Sequence, residues 1–226
     1  MAKIIVYNND TDRMEVFHRA ENEPMPYNEG GTLTVGEFRG KSKSPTLWTT
    51  KRVMEAWNAT RKAYGAPIPV GYAFRRPWEG GHADQSQHYA GTALDSGQAL
   101  TNTQRNRLRT LAQQLGVWVY VEPANLTPTW VHTDRRQNPP ACPGGGYPSL
   151  RRGSRSVYVL ILQDSLNSAG YAAGELDGVF GEQTERALKN YQKARGLAAD
   201  GIAGCAVWRR LMAEVVGNGR KTGTVD

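Results

Sequence analysis

Two histidines and one aspartate occupy positions that suit a metal site. His88 and Asp95 are seven residues apart, and Gly91 lies between them where the chain can bend. If the residues after Gly91 form a strand, the imidazole and the carboxylate converge on one point. His132 lies in a later segment, where strand alternation places it on the same face as Asp134. Two imidazoles and one carboxylate leave the fourth position of a tetrahedral zinc open, as in catalytic zinc sites.

The pattern around these residues resembles a known group of peptidases. It reads Ser86-x-His88-x-x-Gly91-x-Ala93-x-Asp95, followed by Val131-His132-x-Asp134. This pattern is similar to that of the zinc D-alanyl-D-alanine carboxypeptidases and endolysin peptidases, whose fold is shared by vancomycin-resistance dipeptidases and the hedgehog signalling domain. The likeness extends upstream to Thr34–Phe38 and Val70–Pro77. It implies an α+β zinc peptidase domain of the D-Ala-D-Ala carboxypeptidase/hedgehog-like type.

The resemblance assigns roles to the residues of this site. It implies that Zn²⁺ is held by His88, Asp95 and His132. Arg75, two residues before a proline, would hold the terminal carboxylate of the substrate in a bidentate contact that Lys cannot make, and Arg76 is the alternative. Ser86 would hydrogen-bond the substrate backbone.

Two residues, Glu122 and Asp134, are candidates for the general base. In the family a Glu shortly before the last His polarises the zinc water, and its closely spaced version falls on Thr129, which cannot take a proton. Glu122 matches the hedgehog-like Tyr-x-Glu arrangement, with a longer loop, 123–128. We therefore expect Glu122 to be the catalytic base and Asp134 to orient His132. The implied reaction is hydrolysis of a peptide bond by zinc-activated water.

Helices and strands of the N-terminal part must position these side chains. Lys3–Tyr7 and Met14–His18 predict a β-hairpin around a turn-rich stretch. Apolar spacing predicts a helix from Thr50 that ends at Gly65, and a second helix N-capped by Asn102. The run Val117–Val121 follows, β-branched and aromatic throughout, and predicts a buried strand. Helices and strands without regular alternation indicate an α+β domain.

The C-terminal part contains an internal repeat. Asp177-Gly178-Val179-Phe180-Gly181 is followed 23 residues later by Asp200-Gly201-Ile202-Ala203-Gly204, and each turn precedes a helical segment. Over about residues 150–212 the pattern closely resembles the small peptidoglycan-binding domain that accompanies many wall-degrading enzymes. The resemblance implies a small all-α three-helix bundle that binds glycan and stem peptide.

A stretch rich in Pro and Gly divides the chain. We predict a catalytic domain at 1–140 with an N-terminal hairpin extension at 1–31, a linker at 141–149, a binding domain at 150–215 and a tail at 216–226. The chain has two cysteines, Cys142 and Cys205. Because they lie in segments assigned to different modules, we expect two unpaired thiols.

Charge and hydropathy narrow the class of partner. The 226 residues carry 28 Lys and Arg against 21 Asp and Glu, a net charge of +7, which favours a polyanionic partner. No run approaches the ~18 apolar residues of a membrane span, and Met1–Tyr7 is too short for a signal-peptide apolar region. We expect a monomer that binds peptidoglycan, with no nucleic acid and no membrane partner. It would be made in the cytoplasm and act at the bacterial cell wall after release by lysis or a holin, or by an unconventional route.

These patterns together predict a zinc-dependent peptidase that hydrolyses stem-peptide amide bonds of peptidoglycan while its C-terminal module anchors it to the wall. The bond that is cut stays open, because a D-Ala-D-Ala carboxypeptidase and an endopeptidase or endolysin would share this site. The alternative is a catalytically inactive wall-binding protein with a structural zinc site.

Overall fold

The computed structural model describes residues 1–219, in which an α+β part is followed by a helical part. The strands are β1 (Ala2–Asn8), β2 (Arg13–Arg19), β3 (Thr46–Thr50), β4 (Val70–Tyr72), β5 (Ala93–Ser96), β6 (Tyr120–Val121) and β7 (Val131–Asp134). The helices are α1 (Val35–Arg39), α2 (Lys51–Tyr64), α3 (Asn102–Gln114), α4 (Val157–Ser168), α5 (Glu182–Ala194) and α6 (Cys205–Asn218). Within residues 1–219, no helix has both the length and the apolar character to cross a membrane.

The domain limits differ from the prediction at the C-terminus. Helix α6 continues to Asn218, into the stretch 216–226 that we predicted to be a tail. Residues 220–226 of that stretch lie outside the described residues.

The strands of the α+β part form two sheets. The first has the order β2-β1-β3, and it contains the predicted N-terminal hairpin, with Lys3 opposite His18. Strand β1 also pairs in parallel with β3, and its residues Ile4 and Val6 are fully buried. The hairpin is therefore part of the core rather than an appended extension. The second sheet is antiparallel, with the order β4-β5-β7-β6.

The two helices of the α+β part have clear end signals. Thr50 caps α2 by accepting a hydrogen bond from the Val53 amide, and Gly65 ends it in a left-handed conformation, as predicted. The prediction of Asn102 as the cap of α3 is wrong by one residue. Thr101 is the cap, because it forms a capping box with Gln104 and leaves Asn102 inside the helix.

The predicted buried strand at Val117–Val121 is shorter and less buried than expected. The strand contains only Tyr120 and Val121, which pair with β7 at the edge of the sheet. Trp118 is buried, whereas Val119 is 46% exposed. The β-branched and aromatic residues of this segment favour extended structure, but they do not determine whether the strand is central or at an edge. That position depends on which strands lie on either side of it.

Two buried glutamines hold the repeated turns of the helical part. Gln163 of α4 donates to the Asp177 carboxylate at 2.7 Å and accepts from the Gly178 amide at 3.0 Å. Gln192 of α5 makes the same pair of contacts with Asp200 at 2.8 Å and the Gly201 amide at 2.9 Å. Both glycines have positive φ, at 69° and 75°, which explains why Gly recurs there. The internal repeat is thus a repeated packing unit.

The α+β part and the helical part pack directly against each other. Arg76 is fully buried and forms an ion pair with Asp164 of α4, in which Nε lies 2.8 Å from Oδ2. Tyr147, from the stretch that we predicted to be a linker, is also fully buried and lies 5.1 Å from Trp208 of α6 between ring centroids. Residues 141–149 are therefore an ordered junction rather than a free connection.

The expectation that Cys142 and Cys205 are unpaired thiols is wrong, since they form a disulfide. Their Cα atoms lie 4.8 Å apart although they are 63 residues apart in sequence. The junction and the start of α6 meet because the two parts pack together. The pairing therefore depends on tertiary contacts that the separation of the cysteines does not reveal.

Candidate metal centre

Four side chains of the second sheet lie in one row across its strands. Tyr72 of β4 is opposite Asp95 of β5, and Asp95 is opposite His132 of β7. At the end of β6, the Glu122 amide donates to the His132 carbonyl at 3.0 Å, which continues the row. Directly opposed residues of antiparallel strands point to the same face. The sheet register therefore brings Asp95, His132 and Glu122 to one surface.

The three predicted metal ligands lie together at this surface. His132 Nδ1 is 2.7 Å from Asp95 Oδ1, and His88 Nε2 is 3.3 Å from Asp95 Oδ2. One ligand atom from each of the three residues lies within 4.8 Å of the other two. Two imidazoles and one carboxylate are a donor set suited to zinc, with one tetrahedral position left for water or substrate.

Each imidazole has a partner on the nitrogen that faces away from the cluster. His88 Nδ1 lies 3.0 Å from the Ala73 carbonyl, to which it donates, so its Nε2 keeps a lone pair for a metal. His132 Nε2 lies 3.2 Å from Asp134 Oδ2. Asp134 is fully buried and also accepts from Arg136 Nε at 2.9 Å. Such outer contacts orient the imidazoles of metal sites.

Burial and hydrogen bonding set the charges of the cluster. Burial lowers the pKa of His132, but the hydrogen bonds with Asp134 and Asp95 outweigh it and raise that pKa to about 9. Burial raises the pKa of Asp95, but its contacts with His132 and His88 outweigh this and bring it well below the ordinary value. The site therefore favours a cation beside the carboxylates, and a metal ion would displace the His132 proton.

These residues line an open cleft of about 510 Å³. Ser86 and Glu122 lie in its walls together with the three ligand residues. Gly145 and Gly146 of the junction contribute to the wall as well. The junction is held there by Tyr147, whose amide donates to Gln85 Oε1 at 2.9 Å and whose hydroxyl donates to the Ser86 carbonyl at 2.7 Å. The junction thus takes part in shaping the cleft.

The structure separates the two arginines considered for substrate binding. Arg76 is wrong as a substrate contact, because its guanidinium is buried in the ion pair with Asp164. Arg75 is half-buried, with Nη1 donating to the Gly80 carbonyl at 3.2 Å and its guanidinium 5.6 Å from the centre of the Tyr72 ring. Its Nε is buried without a hydrogen-bond partner among the described residues.

His82 has no role in the predicted site, and the structure places it in the cleft. Its ring stacks on His88 at 4.6 Å between centroids, and its Nε2 is buried without a hydrogen-bond partner among residues 1–219. Burial, and then the neighbouring His88, lower its pKa to about 4. Gly80 and Gly81, with φ of 62° and 92°, turn the chain back toward the site. In the sequence, the Gly80–Gly81 pair indicates a turn of the chain. It does not indicate that the side chain of the next residue, His82, points into the cleft.

Comparison with known proteins identifies the helical part. Residues 155–211 match the family model "Putative peptidoglycan binding domain". The N-acetylmuramoyl-L-alanine amidase CwlM of Mycobacterium tuberculosis is 42% identical over 74 residues, which are 28% of this chain and 18% of that protein. The zinc D-Ala-D-Ala carboxypeptidase of Streptomyces albus G is 42% identical over 67 residues, 28% of this chain and 26% of that protein.

A solved structure gives a similar match. The crystal structure of the SleB N-terminal domain is 37% identical and covers 30% of this chain and 92% of that chain, with a TM-score of 0.29. The chain spans only about a quarter or less of the two curated relatives, and the similarity lies over their peptidoglycan-binding regions. Residues 155–211 are thus a peptidoglycan-binding domain with relatives among cell-wall hydrolases.

Proposed function

Because a peptidoglycan-binding domain packs beside a cluster of two histidines and one aspartate, we propose that the chain is a zinc-dependent peptidase of peptidoglycan stem peptides. The observation that carries this proposal is the convergence of His88, Asp95 and His132 in an open cleft of the same chain. The predicted α+β peptidase fold of the carboxypeptidase/hedgehog type belongs to this proposal.

The donor set fits zinc by its chemistry. His88 and His132 would each supply one imidazole nitrogen, and Asp95 would supply a carboxylate oxygen. The contacts of His88 with Ala73 and of His132 with Asp134 leave one nitrogen of each ring directed to the cluster. When bound, zinc would supply the Lewis acidity that lowers the pKa of a water molecule and polarises a peptide carbonyl.

Glu122 is the proposed general base. Its backbone pairs with that of His132, on the row that carries the ligands, and its side chain lines the cleft. The carboxylate takes a proton from the attacking water and returns it to the departing amine nitrogen, so that the proton is conserved over the reaction. Asp134 is fully buried and bound to both Arg136 and His132, which supports its role as an orienting residue instead.

Ser86 and Arg75 are the proposed substrate contacts. Ser86 lines the cleft, and its Oγ accepts from the His88 amide at 3.3 Å, so its hydroxyl hydrogen is available to a substrate carbonyl. The Arg75 guanidinium lies 5.6 Å from the centre of the Tyr72 ring, and it can hold a carboxylate if its contact with Gly80 opens. The carboxylate would be the C-terminus of a stem peptide or the side chain of one of its acidic residues.

The binding domain supplies attachment to the substrate. Since Arg76–Asp164 and the Cys142–Cys205 disulfide join it to the α+β part, it presents the cleft to the wall in a set orientation. Attachment to an insoluble polymer raises the effective concentration of stem peptides at the cleft.

The test is a digest of purified peptidoglycan by the full chain, read by mass spectrometry. We expect cleavage of a stem-peptide amide bond, loss of cleavage with a chelator and recovery with zinc. Release of D-Ala would identify a carboxypeptidase, and cleavage of internal bonds an endopeptidase. His88→Ala should abolish cleavage, and the matched variant His18→Ala, exposed on β2, should retain it. Zinc-loaded protein that binds walls but cleaves no muropeptide would instead establish a wall-binding protein with a structural metal.

A further inference from the structure

A second cavity lies between the α+β part and helix α4, and its walls are strongly basic. It has a volume of about 410 Å³ and is lined by Arg52, Arg135 and Arg136. No Asp or Glu is among its described lining residues. We call it the arginine cavity. Of these three residues, the proposed peptidase function uses only Arg136, through its contact with Asp134.

Two of the three arginines lack an acidic partner. No carboxylate of residues 1–219 lies within ion-pair distance of Arg52 or Arg135, whereas Arg136 is paired with Asp134. Arg135 donates through Nη1 to the Val117 carbonyl. Burial, and then the positive charge of Arg52, lower the pKa of Arg135, and they outweigh the opposite effect of the more weakly acting Glu55. Neighbouring like charges of this kind favour a bound anion.

Two helices begin at the same cavity. Thr50, the cap of α2, and Ser156, the residue before α4, both line it. The N-terminal ends of helices carry partial positive charge and unpaired amide groups, which together favour anions. Helices α2 and α4 have 14 and 12 residues, long enough for this effect.

Ser156 provides an independent indication of a ligand. The residue is only 5% exposed, and its Oγ is buried without a hydrogen-bond partner among the described residues. Although it occupies the cap position of α4, its side chain accepts no capping hydrogen bond. A buried hydroxyl without a partner is costly unless something supplies one. Because Ser156 lines the cavity, an oxyanion bound there is a candidate acceptor for this hydrogen bond.

We propose that the arginine cavity binds a phosphate group, either as free phosphate or as a phosphodiester of an anionic wall polymer. Two unpaired guanidinium groups, two helix ends and a hydroxyl donor supply both the charge and the multiple donors that a phosphate needs. A carboxylate offers two oxygens in one plane, whereas the four oxygens of a phosphate group, also in a diester, are arranged tetrahedrally and can meet donors that approach from several directions. The site is separate from the metal ligands and does not depend on the proposed peptidase function.

The test uses the full chain in the presence of a chelator, so that phosphate cannot bind through a metal ion. Isothermal titration and thermal melting would compare inorganic phosphate, glycerophosphoglycerol as a phosphodiester, and acetate, at constant ionic strength. We expect saturable binding of one or both phosphate probes. A preference for inorganic phosphate would identify the free ion as the ligand, and a preference for the diester would identify the polymer.

Matched variants locate the binding. Arg52→Gln removes an exposed guanidinium from the cavity and should weaken phosphate binding about tenfold or more, as expected for loss of a charged hydrogen bond. Ser156→Ala should weaken it as well. Arg209→Gln, which removes an exposed charge from α6, should leave it unchanged. Absence of saturable phosphate binding, equal binding of acetate, or equal weakening by Arg209→Gln would overturn the proposal.

Discussion

Glu122 and His132 are opposite each other across the β6–β7 pair, where the Glu122 amide donates to the His132 carbonyl at 3.0 Å. They are separated by a ten-residue interval in sequence, but the strand pairing places their side chains on one face. The register of these two short strands therefore decides whether the Glu122 carboxylate lies near the proposed metal site.

Glu122→Gln should reduce hydrolysis of stem peptides by roughly 10²- to 10⁴-fold, because the amide cannot take a proton from water. Zinc content and binding to purified walls should stay unchanged, since Glu122 belongs to neither the ligand set nor the binding domain. Turnover of a muropeptide substrate, measured with zinc content on the same samples, checks this. The matched variant Glu175→Gln, exposed in the helical part, should hydrolyse normally. If Glu122→Gln retains full activity, Glu122 is not the base.

Stability of the metal-free protein should fall as the pH falls from about 6.5 toward 4, and His82 should contribute to this loss. Its folded-state pKa of about 4 lies below the ordinary value of 6.5, so the unfolded chain takes up a proton that the folded chain does not. Urea unfolding at pH 6.5 and pH 4.5, with a chelator present, would measure the difference, because above pH 6.5 the raised pKa of His132 changes stability in the opposite direction.

His82→Gln should make that difference smaller. His18→Gln, exposed on β2 and remote from the cleft, serves as the control and should retain the pH dependence of the unsubstituted chain. An unchanged pH dependence in His82→Gln would contradict the buried, uncharged state of this imidazole.

Removing one partner of the buried ion pair between Arg76 and Asp164 should lower the stability of the folded chain. Asp164→Leu removes a buried carboxylate that lies against the Arg76 guanidinium and should lower the free energy of unfolding by about 3–5 kcal/mol. Urea unfolding of the single variants and of the double variant Arg76→Met/Asp164→Leu gives the coupling energy between them. The double variant should recover much of the loss, because no unpaired charge stays buried. Single variants within about 1 kcal/mol of the unsubstituted chain would exclude a pair of this strength.

Loss of the Cys142–Cys205 disulfide should destabilise the chain by about 2–4 kcal/mol, because the bond closes a long loop in the unfolded state. Cys142→Ser with Cys205→Ser, compared with the oxidised parent by urea unfolding, measures this effect. The junction should also open more often, since Gly145 and Gly146 follow Cys142 closely and line the cleft. Hydrogen exchange of residues 141–148 would report it. Equal exchange in both proteins would show that contacts other than the disulfide, such as those of Tyr147, hold the junction.

Much of the local structure could be predicted from the sequence. The ends of α2 at Thr50 and Gly65 depend on caps that lie within four residues of the groups they satisfy. The repeated Asp-Gly turns likewise reflect a local need for positive φ. The grouping of His88, Asp95 and His132 was predicted from motif spacing and resemblance, and the described residues do lie together. Their roles as zinc ligands stay a proposal.

Contacts between distant segments could not be predicted in this way. Tertiary packing paired Cys142 with Cys205, directed Arg76 to Asp164 and away from any substrate, and turned His82 onto His88. It also placed Arg52 and Arg135 around one cavity with the start of α4. The sequence by itself determined short-range features, because backbone periodicity and capping act over a few residues. The partners of a buried charge or thiol were decided only by the tertiary structure, since they depend on which surfaces exclude water together.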